Sequence, residues 1–170
     1  MNKTIMISVL ILAALVAVLA FVYTDDADDR RASQREAVIY VARDGERTGE
    51  IDFDTVMAQE QEEFAATLKS SDAPARDHDY AGVELRELLD NLEINLEDAN
   101  QVIARAVDGY TVALEIEEVM KPQNVYVVHT IDGEPLKPRE EGGNGPYQLV
   151  IREDEFGQRW TKYLMELDLR

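Results

Sequence analysis

Two histidines, 35 carboxylates, one tryptophan and no cysteine are the groups from which this chain of 170 residues must build any reactive centre. Serine hydrolysis needs a nucleophile on a strained turn with a base beside it, and no Gly-x-Ser-x-Gly elbow is present. His78 stands in a charged loop and reads as a surface residue. His129 stands in a strand pattern beside Tyr126 and Val128 and reads as a satisfied, half-buried ring. Its sharper reading is a pH-sensitive binding group. Two distant histidines and no thiol do not make a zinc site. Among so many acids a pair of carboxylates in a cleft is unspecific, and the plain reading is a solvated acidic surface. Gly142-Gly143-Asn144-Gly145 lacks the Lys-Ser/Thr of a phosphate loop. It reads as a connector, with backbone N–H groups to offer a ligand as its alternative role. Tyr80, Tyr110, Tyr126, Tyr147 and Trp160 all fall beside predicted turns or strand ends. They either rim a shared pocket or pack at the edge of the core. The candidate ligand-binding set is therefore Tyr80, Asp108, Tyr110, His129, Gly143, Asn144, Gly145 and Trp160. No set of residues points to catalysis or to a metal.

The elements that must position these groups are mostly strands. Val38 to Ala42 is β-branched and aromatic and runs into a turn at Arg43-Asp44-Gly45-Glu46. Asp52 or Asp54 is placed to cap a short helix holding Val56 and Met57. Glu63 to Ser70 alternates weakly as a strand, and Ser71 to Asp79 is a polar loop. Leu85, Leu88, Leu89 and Leu92 share one face of a helix predicted over Gly82 to Leu92. Gln101 to Val107 and Tyr110 to Ile116 make a hairpin about Asp108-Gly109. Glu117 to Gln123 adds a helical turn stopped by Pro122, and Val125 to Ile131 is a core strand ending in the Asp132-Gly133 turn. Tyr147 to Ile151 is a short strand. In the last strand Tyr163, Met165, Leu167 and Leu169 alternate with Lys162, Leu164, Glu166 and Asp168. Too few helices intervene for βαβ units, so the fold class is α+β, a single domain with mostly antiparallel strands.

The formal net charge is −18. It excludes nucleic acid, whose phosphates need clustered cations, and disfavours docking on an anionic membrane surface. Ile5 to Tyr23 is uncharged, with Ser8 as its polar interruption. At helical rise it spans about 28 Å, close to the hydrocarbon thickness of a bilayer. Lys3 precedes it and Asp25, Asp26, Asp28 and Asp29 follow, which orients the body of the chain away from the cytoplasm. The run is either a retained anchor, making the membrane a partner, or a signal peptide cleaved after Ala20. The expected location is the outer side of the cytoplasmic membrane, or the exterior if the segment is removed. The Asp cluster lacks the alternation and glycine of a calcium loop. The expected organisation is residues 1–23 as anchor or signal, 24–36 as an acidic polar linker and 37–170 as the folded domain.

Several segments together resemble one known family. Tyr80-Ala81-Gly82-Val83-Glu84-Leu85-Arg86-Glu87-Leu88-Leu89 resembles its Y-x-G-V-x-L-x-x-L-L helix. Ala106-Val107-Asp108-Gly109-Tyr110 resembles its D-G-Y turn, and Ile131-Asp132-Gly133-Glu134-Pro135-Leu136 its D-G-x-P-L turn. Gly143 to Val150 resembles its G-x-G-P-x-R-L-V stretch, and Trp160 and Lys162 fall near its closing strand. Order and spacing match from Tyr80 to Leu169. The family is the molybdopterin-binding domain of the sulfite oxidase superfamily.

The resemblance implies a mixed fold that, in the enzymes, cradles a molybdenum pterin through a cysteine thiolate, a soft ligand suited to the metal. Here the segment where that cysteine is expected reads EFAATLKSS, and Gln148 replaces the usual arginine. The fold is carried over and the activity is not. No cofactor is predicted from the residues, and molybdopterin enters only through the resemblance. The expected function is an exported or membrane-anchored, non-catalytic binding or accessory module for a protein partner or small ligand. The alternatives are a pterin-dependent oxidoreductase or electron-transfer subunit without thiolate ligation, and a purely structural envelope protein.

Overall fold

A computed structural model describes residues 11–16, 36–69, 74–96 and 98–170. The predicted anchor or signal over Ile5 to Tyr23 lies largely outside these residues, as does the predicted linker. Residues 11–16 are helical and exposed. Among the described residues no helix is long and apolar enough to cross a membrane.

Alternating apolar residues build two sheets. In the first, β1 (Val38–Arg43) pairs with β2 (Glu46–Asp52) through a turn in which Asp44 and Gly45 both have positive φ. This is the geometry that matches strand twist in tight hairpins. β5 (Gln101–Ala106) and β6 (Thr111–Glu115) form the second hairpin, and β10 (Leu164–Leu169) sits between the two. The order is β2-β1-β10-β5-β6, with β1 and β10 parallel. In the second sheet β3 (Glu62–Leu68), β4 (Arg76–Glu84) and β7 (Val125–Ile131) are antiparallel neighbours. The far edge of β7 is shared by β8 (Glu134–Pro135) and β9 (Gln148–Ile151). One contiguous core joins the sheets, with Ile39, Val102, Leu114 and Leu167 from the first and Val83, Tyr126, Val128 and Leu149 from the second. The α+β, mostly antiparallel reading is borne out.

Three short helices pack at the sheet ends: α1 (Phe53–Met57), α2 (Leu85–Asn91) and α3 (Ile116–Met120). The Asp52 carboxylate caps α1 by accepting from the Thr55 N–H at 2.8 Å. Asp52→Ala should cost about 1 kcal/mol of stability, read as a shifted midpoint in urea at unchanged slope. A shift below a few tenths would show that α1 is held by packing alone.

The helix predicted from Gly82 starts later than expected. Gly82, Val83 and Glu84 belong to β4, and only Leu85 to Asn91 is helical. The reason is a close approach. A Cβ on Gly82 would stand 2.2 Å from the Val127 carbonyl oxygen, so β4 runs against β7 where only glycine fits. The last strand also departs from simple alternation. Its register against β5 shifts between Leu164 and Glu166, and Tyr163 has positive φ. Leu164 therefore turns inward, Met165 is half-buried, and Asp168 is fully buried.

Candidate functional site

The hairpin turn after β5 and the 3-10 turn Gly157–Arg159 face one another across Trp160. Asp108, Tyr110, Gly157, Gln158, Trp160 and Lys162 line a cleft of about 450 Å³. The Asp108 carboxylate accepts from the Tyr110 N–H at 3.1 Å, which closes the turn and aims the ring outward. The Tyr110 hydroxyl donates to the Gln158 carbonyl, tying the two walls together. Trp160 is buried, and its Nε1–H donates to the Ile151 carbonyl at 2.9 Å. Val107, Tyr110 and Phe156, on the two loops walling this cleft, are exposed large apolar residues.

Behind Trp160 an aromatic cluster extends into the second sheet. Tyr80 meets Trp160 edge-on at 5.8 Å and stacks on Phe64 at 6.0 Å, and Phe64 touches Tyr126 at 4.3 Å. The Tyr80 hydroxyl is buried without a hydrogen-bond partner. Burial, reinforced by the Asp132 charge, pushes its pKa up to about 12. The Tyr147 hydroxyl is likewise buried and unpaired, and burial followed by the charges of Asp52 and Asp54 raises it.

The other expected site residues lie elsewhere. Gly143, Asn144 and Gly145 pack back on the segment after β8. The Gly143 N–H donates to the Pro138 carbonyl at 3.0 Å and the Gly145 N–H to the Lys137 carbonyl at 2.8 Å. A Cβ at either glycine would strike Lys137 or Leu136. These N–H groups close the loop on itself instead of facing a ligand. Asn144 bridges β9 and the residue that precedes β10, its side chain donating to Gln148 Oε1 at 3.1 Å and its carbonyl accepting from the Tyr163 N–H at 2.9 Å.

His129 is buried on β7, packs edge-on against Phe53, and its Nε2–H donates to Gln61 Oε1 at 2.9 Å. Burial lowers its pKa. An unfolded histidine takes up a proton near pH 6.5, while the folded ring resists it. Stability should therefore fall as pH drops below about 6.5 and level off below the folded pKa. Urea midpoints between about pH 7.5 and 5 would show that slope, and His129→Gln should flatten it. An unchanged slope in the variant would move the effect to other groups.

Two features escaped the sequence pattern. One is a cavity of about 630 Å³ beside β3, bordered by Lys69, Asp77, Arg152, Glu153, Asp154 and Glu155 among others. Its walls come from segments far apart in the chain, so no local spacing announces it. The other is the buried Asp168, which accepts from the Gly45 N–H at 3.0 Å, Arg170 Nε at 2.9 Å and Arg105 Nη2 at 3.0 Å. Burial alone would raise its pKa, but the Gly45 N–H and the two guanidinium groups outweigh that and hold it below the usual carboxylate range.

The family model of the oxidoreductase molybdopterin binding domain matches residues 36–170. The chain belongs to that family. Among solved structures, the sulfane dehydrogenase SoxCD from Paracoccus pantotrophus superposes with a TM-score of 0.66 at 17% identity, covering 80% of this chain and 38% of that chain. That likeness is one of fold, and this molybdopterin-domain chain spans well under half of the SoxCD chain. No curated protein matches.

The residues present do not fit the group for which the family is named. The sequence holds no thiol to ligate molybdenum. Among the described residues no three His, Cys, Asp or Glu side chains converge to hold a metal. Residues 70 and 71 of the EFAATLKSS segment lie outside the described residues, and Glu63 to Leu68 lies within β3. Around the cavity at that strand Asp154 is paired with Arg159, and Asp77, Glu153 and Glu155 still outnumber Lys69 and Arg152, which disfavours an anionic pterin.

Proposed function

We propose that this protein is a non-catalytic binding or accessory module of the molybdopterin-domain family, exported or membrane-anchored through residues 1–23. The observation that carries this reading is a family scaffold kept over residues 36–170 in a chain without a single cysteine. The thiolate through which the family's enzymes hold molybdenum has no counterpart in this sequence, and among the described residues no three His, Asp or Glu side chains converge to take its place. The acid-lined cavity beside β3 supports the same reading from electrostatics. The preformed cleft between Tyr110 and Trp160 supplies an apolar surface with two charges at its rim, the composition of a recognition site. The uncharged run before the linker supports placement of the domain across the membrane.

The test is metal analysis and pterin fluorescence on the full chain purified from its own membranes. Protein free of molybdenum and pterin is the expected result. Stoichiometric molybdenum or pterin would overturn the reading in favour of an oxidoreductase.

A further inference from the structure

We propose that the outer edge of β3 is a docking site for an extended, basic segment of a partner protein, which joins the sheet as an added strand. The inference rests on the reading of this chain as a binding module. Among the described residues β3 ends its sheet and pairs on one side only, with β4. Ala65, Ala66 and Thr67, three residues in a row, line the cavity beside it. Side chains of a strand alternate between faces. Contact with three in succession shows that the cavity meets residues of both faces of this outermost strand, with Asp77 of β4 beside its ladder partner Thr67. On its outer edge β3 has N–H and C=O groups to share with an incoming strand.

The remaining edges are guarded. β2 is bulged against Val41 and Ala42, β8 is two residues long and ends in Pro135, β9 is four residues long and buried throughout, and β6 runs directly into α3. β3 has seven residues and neither proline, glycine nor lysine.

Charge selects the occupant. Asp154 is held by Arg159, which leaves Asp77, Glu153 and Glu155 against Lys69 and Arg152 around the cavity. The Arg152 guanidinium is laid over the Phe64 ring, 5.1 Å from its centroid. Glu153 and Glu155 are 55% and 74% exposed, and their partners Lys121 and Lys69 are also exposed. Exposed pairs of this kind contribute little and exchange readily for incoming cations. A second copy of a chain with net charge −18 is repelled, whereas a segment with Lys or Arg at alternate positions is attracted. Main-chain bonds supply affinity and alternate side chains supply selectivity in such strand addition.

The experiment follows fluorescence anisotropy of labelled peptides of about nine residues with the full-length protein. One alternates threonine and lysine, the second carries glutamate in place of lysine, and the third is the lysine peptide N-methylated along its length. The lysine peptide should bind, more weakly as salt rises from about 50 to 200 mM, and the other two should not. Glu153→Lys combined with Glu155→Lys should weaken binding about tenfold or more. The same reversal at Glu46 and Glu50 on β2 should leave it unchanged. No binding of the lysine peptide, equal binding of its N-methylated form, or indifference to the Glu153 and Glu155 reversal would each overturn the docking site. A peptide failure in metal-free protein leaves the module reading standing, while a molybdenum-loaded protein defeats that reading whatever the peptides do.

Discussion

Asp168→Ala should lower the unfolding free energy by about 2–4 kcal/mol. The carboxylate is fully buried and serves three donors from three parts of the chain. Its removal strands the Gly45 N–H in the first hairpin turn and deprives Arg105 and Arg170 of their common acceptor. Arg105 keeps Glu166, and both arginines reach solvent, which holds the cost below that of a fully desolvated pair. Asp168→Asn should fall between wild type and alanine, because an amide oxygen still accepts from Gly45 but carries no charge. The sign of the pH dependence follows from the lowered pKa of Asp168. The stabilisation is complete above the unfolded value near 3.9 and is lost as pH falls through the lower folded value. Urea unfolding at neutral pH, read through the fluorescence of Trp160, gives the loss directly. Repeating it below about pH 4 should bring the variants together. A variant as stable as wild type at neutral pH would show that the arginines, not the carboxylate, organise this corner.

Gly82→Ala is the second large effect, expected at about 3 kcal/mol or more and about 10 °C in Tm. The added methyl would lie 2.2 Å from the Val127 oxygen, 2.6 Å from the Val128 Cα and 2.9 Å from the Val127 carbonyl carbon. All three are main-chain atoms of β7, which is paired on both sides and cannot yield by a rotamer change. Relief requires β4 to move away from β7 where their register already shifts, between Ala81 and Gly82. Gly109→Ala is the control. Its φ is +88° with no atom near the new Cβ, so it should cost only about 1 kcal/mol of backbone strain. Thermal melts of the two variants distinguish close packing from backbone conformation. Equal shifts would mean that β4 and β7 separate easily.

The candidate cleft was half legible in the sequence. Asp108, Tyr110 and Trp160 do share one cavity, with Tyr80 packed behind the tryptophan. The glycine loop and His129 enter the candidate set through their sharper readings, backbone N–H groups for a ligand and a pH-sensitive ring. The loop closes on Pro138 and Lys137, and His129 packs beside Phe53 and Gln61. Motif chemistry reports what a residue is able to do, while the direction it faces depends on strands distant in the chain.

Local order was written in the chain itself. The Asp44-Gly45, Asp108-Gly109 and Asp132-Gly133 turns, the leucine face of α2 and the alternation of β5 and β6 each depend on interactions within about ten residues. The missing thiol, and with it the case against a molybdenum ligand, is a property of composition that no folding alters. Tertiary structure alone decided the parallel union of β1 with β10, the start of α2 after Gly82, the burial of Asp168 and the acidic cavity along β3. Each of these joins residues far apart, as Gly45 meets Asp168 across 123 positions. Periodicity senses a residue's neighbours in the chain; packing and desolvation act on its neighbours in space.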